Sequence, residues 1–230
     1  MPNHGDKFFV HVVESPGDFD LLDGRTEGRV LLEALKLSQV PASYNLVTTR
    51  ATLDEALGAR LDQAVSYFRR FPVIHLSLHG NGNGIGLTDG HYVEWDSLRD
   101  LLLPINLRLG GALLVCLSSC FGAAGCKMAM YENQPIPFFA LVGHPDTAAW
   151  GDSAIGFATF YHRLRAGANV FEAVEAMKAA SGDHRFIAFG GERVQENYAK
   201  YLRETRTQAI LDIMLGKLPP LPTQFAPGTS

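Results

Sequence analysis

The stretch Leu113–Cys126, "LLVCLSSCFGAAGC", holds all three cysteines of the chain, and Val73–Gly84, "VIHLSLHGNGNG", is an apolar run that ends in His79-Gly80. Each reads as a strand that is apolar at nearly every position and stops at a reactive side chain followed by small residues. Strands apolar on both faces belong to a mostly parallel sheet covered by helices. Working outward, "KFFVHVVE" (7–14), "ASYNLVTT" (42–49), "PFFALVGHPD" (137–146) and "HRFIAFGG" (184–191) are further strands, and "GIGLTDGHYVEW" (84–95) is a small hairpin turning at Asp89-Gly90.

Helical patterns fall between these strands. The segment 26–40 places Val30, Leu31, Ala34, Leu35 and Leu37 at helical spacing. The segment 52–71 opens with Thr52 and a Glu55 three residues on, a capping-box pattern. The segment 95–106 reads as a helix broken by Pro104, 123–134 as a helix after the cysteine strand, 152–167 and 169–181 as a pair split at Gly167, and 192–216 as a last helix. The alternation predicts an α/β three-layer sandwich with a mostly parallel central sheet and helices on both faces. Residues 1–191 are expected to form one domain, 192–216 a helix packed on it or contacting a partner, and the proline-rich 217–230 a frayed or extended tail.

Ligands of such sheets bind along the edge formed by the strands' carboxyl ends. His79 and Cys120 each close a strand, so both should stand on that edge, on neighbouring strands. A thiol attacks an acyl carbon as thiolate, helped by a nearby imidazole or helix N-terminus. The "FGAAG" after Cys120 lets the chain turn sharply, and the backbone N–H groups of Gly80 and Cys120 are candidates to hold a developing oxyanion. Cys116, in mid-strand, and Cys126, in the following helix, read as core residues, and His75 as a core histidine. The cysteine spacing fits a zinc site poorly, and "HGNGNGIG" lacks the Lys-Ser/Thr ending of a phosphate loop, so no metal or other cofactor is expected. Trp95 and Trp150 read as packing residues, the latter beside a loop near the site.

These two strand ends, His-Gly and Ser-Cys, in this order resemble the caspase-like cysteine peptidases: caspases, metacaspases, separases, gingipains and the bacterial CHAT proteins. The similarity covers about Lys7 to Ser181 and extends to "FALVGHPDTAAWGDSAIGFATFYHRLRAGANVFEAVEAM", which looks like the CHAT-type strand, loop and helix pair. The resemblance implies a caspase-like fold, His79 as base, Cys120 as nucleophile, and peptide-bond cleavage through an acyl-enzyme in a protein or peptide substrate. It also implies control by a regulatory partner, activator or processing, and a bacterial defence setting. Relatives often carry an acid or Gln two residues before the nucleophile to shape the primary specificity pocket; here that residue is Ser118, which does not argue for basic substrates. Asp146 and Asp152, in the next loop, are candidates to lie near that pocket, and His144, at the same edge, to contact substrate. Two other classes stay open: a caspase-like scaffold whose dyad is idle, and a flavodoxin-like nucleotide binder, for which no matching loop is present.

A formal net charge of −4 gives no basic field of the kind nucleic acid selects, and with 47% hydrophobic and 19% charged residues the chain is too apolar to stay disordered. No apolar run approaches the roughly 18 residues of a membrane span, and the first residues lack the pattern of a signal peptide. The expectation is a cytoplasmic protein that binds neither nucleic acid nor membrane. Three cysteines leave at least one thiol free.

Overall fold

The computed structural model describes residues 7–215. Its strands are β1 (Phe8–Ser15), β2 (Ala42–Leu46), β3 (Phe71–Asn81), β4 (Gly84–Gly86), β5 (Tyr92–Glu94), β6 (Leu114–Ser118), β7 (Ala140–Gly143) and β8 (Ile187–Gly190). The central sheet runs β2-β1-β3-β6-β7-β8, parallel throughout except for β8, which returns antiparallel to β7. The end of β3 runs on past the sheet and pairs with the β4–β5 hairpin predicted around Asp89-Gly90. The proline-rich segment 217–230 lies outside the described residues.

Helices cover both faces, as the sequence predicts. One face carries α3 (Arg50–Glu55), α4 (Leu61–Phe68) and α5 (Trp95–Arg108), whose Leu53, Leu61, Leu98 and Leu102 pack on Ile74, Leu76, Val115 and Leu117 of the sheet. The other carries α2 (Glu27–Leu37), α6 (Trp150–Arg165) and α7 (Val170–Ser181), with Leu31, Phe157, Phe160, Tyr161 and Met177 on Val10, Val12, Cys116 and Val142. Alternate residues of each strand serve opposite cores, which explains the unbroken apolar runs. A short α1 (Asp18–Leu22) follows β1, and α8 (Gly191–Met214) follows β8. Among the described residues no helix is long and apolar enough to cross a membrane.

Three local expectations are corrected. The cap of α3 is Thr49, with Thr52 completing the box, because Thr49 Oγ1 accepts from the Thr52 N–H at 3.2 Å; Thr52 is therefore inside the first turn. Pro104 does not break α5: Leu98, Leu102 and Ile105 are buried on one side of it, and that burial outweighs the one backbone donor the ring removes. After Cys120 the chain forms a 3-10 helix, Gly122–Ala129, rather than the longer helix expected. It lies so close to the sheet that a Cβ on Gly125 would stand 2.6 Å from Leu117 Cδ1.

Phe157 is fully buried at the centre of the second core, against His75, Phe160, Tyr161 and Phe186. Phe157→Ala is expected to cost about 3–5 kcal/mol in urea unfolding.

Candidate active site

β3 and β6 are neighbours, and their last parallel partners are Ser77 and Ser118. His79 and Cys120 each lie two residues beyond that pair, at the carboxyl edge beside α2 and α6; contrary to expectation neither closes its strand, since β3 runs on to Asn81 and Cys120 stands in the turn after β6. They line one small cavity of about 30 Å³ together with Glu27, Leu78, Ser118, Ser119, Ala148, Trp150 and Ser153. The two backbones also meet: a Cβ on Gly80 would lie 2.6 Å from the Cys120 carbonyl oxygen, a contact only glycine permits. All three cysteines are free thiols; Cys120 is half-buried, whereas Cys116 is fully buried, and burial pushes its thiol up to about 12.

The imidazole of His79 is half exposed. Its Nε2 lies 3.7 Å from Asp20 Oδ2 of α1, and its ring meets Trp150 edge to face at 5.9 Å. A Cβ on Gly17 would come within 3.0 Å of that Nε2, so the Pro16-Gly17 turn leaves room for the ring beside Asp20. The nucleophile turn is tight: Phe121, next to Cys120, holds a left-handed φ of 56°, which a bulky residue adopts at a cost of about 1–3 kcal/mol.

Below this pair lies a buried polar row. Glu14 on β1, Ser77 on β3 and Ser118 on β6 are side by side in register. Glu27, from the first turn of α2, sits over them: Ser77 donates to it at 2.7 Å, and Ser118 at 2.7 and 2.8 Å. Burial pushes the Glu27 carboxyl up to about 7, opposed by the Ser118 and Ser77 hydroxyls and reinforced by the charge of Glu14. Glu14 accepts from the Gly28 N–H and the Tyr44 hydroxyl. One step deeper, His75 shares a hydrogen bond of 3.0 Å with the Tyr161 hydroxyl, and burial pushes its imidazole down to about 3, so it stays neutral. His75 is thus the core histidine the sequence suggests.

The remaining sequence candidates fare differently. Ser118 lines the cavity, but its hydroxyl is committed to Glu27. His144 is corrected: its side chain is 1% exposed, and both ring nitrogens are engaged, Nε2 with Asp183 Oδ2 at 3.1 Å and Nδ1 with the backbone of Asp146, leaving nothing to offer a substrate. Asp146 and Asp152 do not line this cavity. The Asp146 carboxylate accepts from the Thr147 N–H and faces Arg185, and Asp152 lies in the first turn of α6, where its charge also faces Arg185. Asp20, Gly17 and Glu27 are the site residues the motifs did not mark. The signal for Asp20 and Gly17 is positional, a short segment directly after β1 at the carboxyl edge; Glu27, beyond α1 at the start of α2, carries none. Among the described residues no group of three or more His, Cys, Asp or Glu side chains is placed to hold a metal ion.

Comparison with known proteins finds similar solved structures. The Arg-specific cysteine proteinase gingipain R aligns with 82% of this chain and 48% of its own at 12% identity and a TM-score of 0.49. The complex of the pro- and mature domains of RgpB from Porphyromonas gingivalis aligns with 82% of this chain and 48% of that chain at 10% identity and a TM-score of 0.48. The chain spans about half the length of these structures. No family model and no curated protein matches it.

Because the Glu27 carboxyl titrates near 4.5 when unfolded and near 7 when folded, the stability it contributes is complete below about pH 4.5 and is lost as the pH rises through 7. Over that window the folded state should lose about 3 kcal/mol. Glu27→Gln is expected to flatten this slope in urea titrations run from pH 4.5 to about pH 8.

Proposed function

We propose that this protein is a cysteine peptidase of the caspase-like type. The observation that carries the reading is the meeting of His79 and Cys120, from adjacent parallel strands, at one cavity on the carboxyl edge of the sheet. The imidazole takes the thiol proton, the sulfur attacks the peptide carbonyl, and His79 then gives the proton to the leaving amine. Water, deprotonated by the same ring, hydrolyses the thioester. The N–H groups of Gly80 and Cys120 are assigned to the oxyanion. Asp20, 3.7 Å from Nε2, is assigned to steadying the imidazole from the side away from the thiol.

The cavity floor suggests the residue preferred before the scissile bond. Ser118 brings no charge, but Glu27 supplies a carboxyl whose own burial disfavours its anion. A lysine or arginine side chain would stabilise that anion in place of water, so a basic residue suits the floor. Its entry requires Ala148 and Trp150 to move aside, because about 30 Å³ accommodates little more than a water molecule. That small volume favours a second reading, in which the fold serves as a binding scaffold and the dyad is idle. The implied regulation by a partner, activator or processing step would act by opening this mouth.

Peptide-library cleavage decides between the two readings. Activity is expected to vanish in Cys120→Ala, to fall by about 10²–10⁴ in His79→Ala, and to favour basic residues at the cut. Failure to cleave any library member, with or without a candidate activator, supports the scaffold. Asp20→Asn should lower kcat about tenfold, equivalent to about 1.4 kcal/mol, with KM little changed.

A further inference from the structure

We infer that His144, gripped between Asp183 and the backbone of Asp146, is a positioning residue that holds the turn carrying Cys120. The inference rests on the reading of Cys120 as nucleophile. The turn needs an external hold, because Phe121 occupies the left-handed region and the 3-10 helix begins immediately after it. Two of its amides are bound from a single short segment: the Phe121 N–H donates to the Asp146 carbonyl at 2.9 Å, and the Ala123 N–H donates to the His144 carbonyl at 3.0 Å. Gly143, the residue before, presses on the same turn, since a Cβ there would lie 2.6 Å from Ala123 N and from Gly122 C. Wherever residues 143–146 go, the Cys120 turn must follow.

The placement of that segment depends on the His144 ring. Its Nε2 faces Asp183 Oδ2, and Asp183 is held as an anion by Arg185, whose Nε, Nη2 and backbone N–H donate at 3.0, 2.8 and 3.0 Å. Facing that anion, Nε2 acts as a donor, while Nδ1 lies against the backbone of Asp146, 2.8 Å from its carbonyl oxygen and 3.1 Å from its N–H. Arg185 also reaches the Asp146 carboxylate at 3.4 Å, and Phe186 packs edge-on against the ring at 5.1 Å. The 182–186 connection, after α7, thus fixes the imidazole; the imidazole fixes Asp146; and the carbonyl of Asp146 fixes Phe121. Displacement of a reacting atom by 1 Å from a remote change can lower a rate about a hundredfold, which makes such a hold consequential.

The test uses the full chain with His144→Ala, His144→Gln and His79→Ala. Amide hydrogen exchange at Phe121 and Ala123 and the rate of Cys120 alkylation by iodoacetamide at neutral pH, read by mass spectrometry of the Cys120 peptide, are measured for each. His144→Ala is expected to speed exchange at both amides about tenfold or more, without change in the β3 core, and to slow alkylation about fivefold or more. His144→Gln, which keeps a donor toward Asp183, should recover most of both effects. Exchange at Phe121 and Ala123 equal to wild type, alkylation unchanged despite faster exchange, or no recovery in His144→Gln overturns the inference. Should His144→Ala not fold, Asp183→Ala is held to the same criteria of exchange and alkylation. If His79→Ala leaves alkylation unchanged, the dyad fails, while the exchange results still judge the hold on the turn.

Discussion

The structure depends on the parallel pairing of β3 with β6, in register at Ser77 and Ser118. A strand side chain two positions beyond a paired residue keeps the same face and moves about 7 Å along the sheet. One register therefore sends His79 and Cys120 to the same rim and places their backbones in contact through Gly80. A slip of one residue in either strand would turn one of the two to the opposite core. The hydrophobic pattern guards against this, because Ile74, Leu76, Val115 and Leu117 would then leave the first core.

The same register stacks polar groups beneath the rim. His79 and Cys120 stand over Ser77 and Ser118, and these over His75 and Cys116, with Glu27 let in from α2 and Tyr161 from α6. In a low-dielectric core an unpaired polar group is costly; the hydroxyls of Ser77 and Ser118 provide partners for Glu27, whereas the buried Nε2 of His75 has none. A carboxyl near neutrality at the floor of a cavity beside a thiol and an imidazole is the kind of perturbed group that functional sites accumulate. It costs stability where it stands, and this explains why its effect should be visible in unfolding as well as in substrate choice.

The rim is assembled from both sides. Asp20 and Gly17, after β1, set the place of the imidazole, while the segment after β7, anchored through His144, Asp183 and Arg185, sets the turn of the thiol. The histidine that from its position alone suggested contact with substrate is instead buried in this anchor. Trp150 bridges the two sides by meeting the His79 ring at the mouth of the cavity.

Much of this was legible in the chain. The doubly apolar runs specified a mostly parallel sheet between helix layers, and right-handed crossovers put the loops holding His79 and Cys120 toward one edge, although β3 continues past His79 and Cys120 falls in the turn after β6. Local grammar misled where tertiary packing intervened: Pro104 lies inside α5 because its neighbours are buried, and the residues after Cys120 tighten into a 3-10 helix because the sheet lies against them. Position pointed to the edge for Asp20 and His144, but the partners of Asp20, Glu27 and His144 could not be read. Each depends on partners 39 to 91 residues away, as in His144 with Asp183 and Glu27 with Ser118, and no local pattern encodes such a distance. The sequence by itself determined the layers and the two side chains at the rim, since these follow from periodicity; only the tertiary structure decided what surrounds them, since burial and pairing arise when distant segments meet.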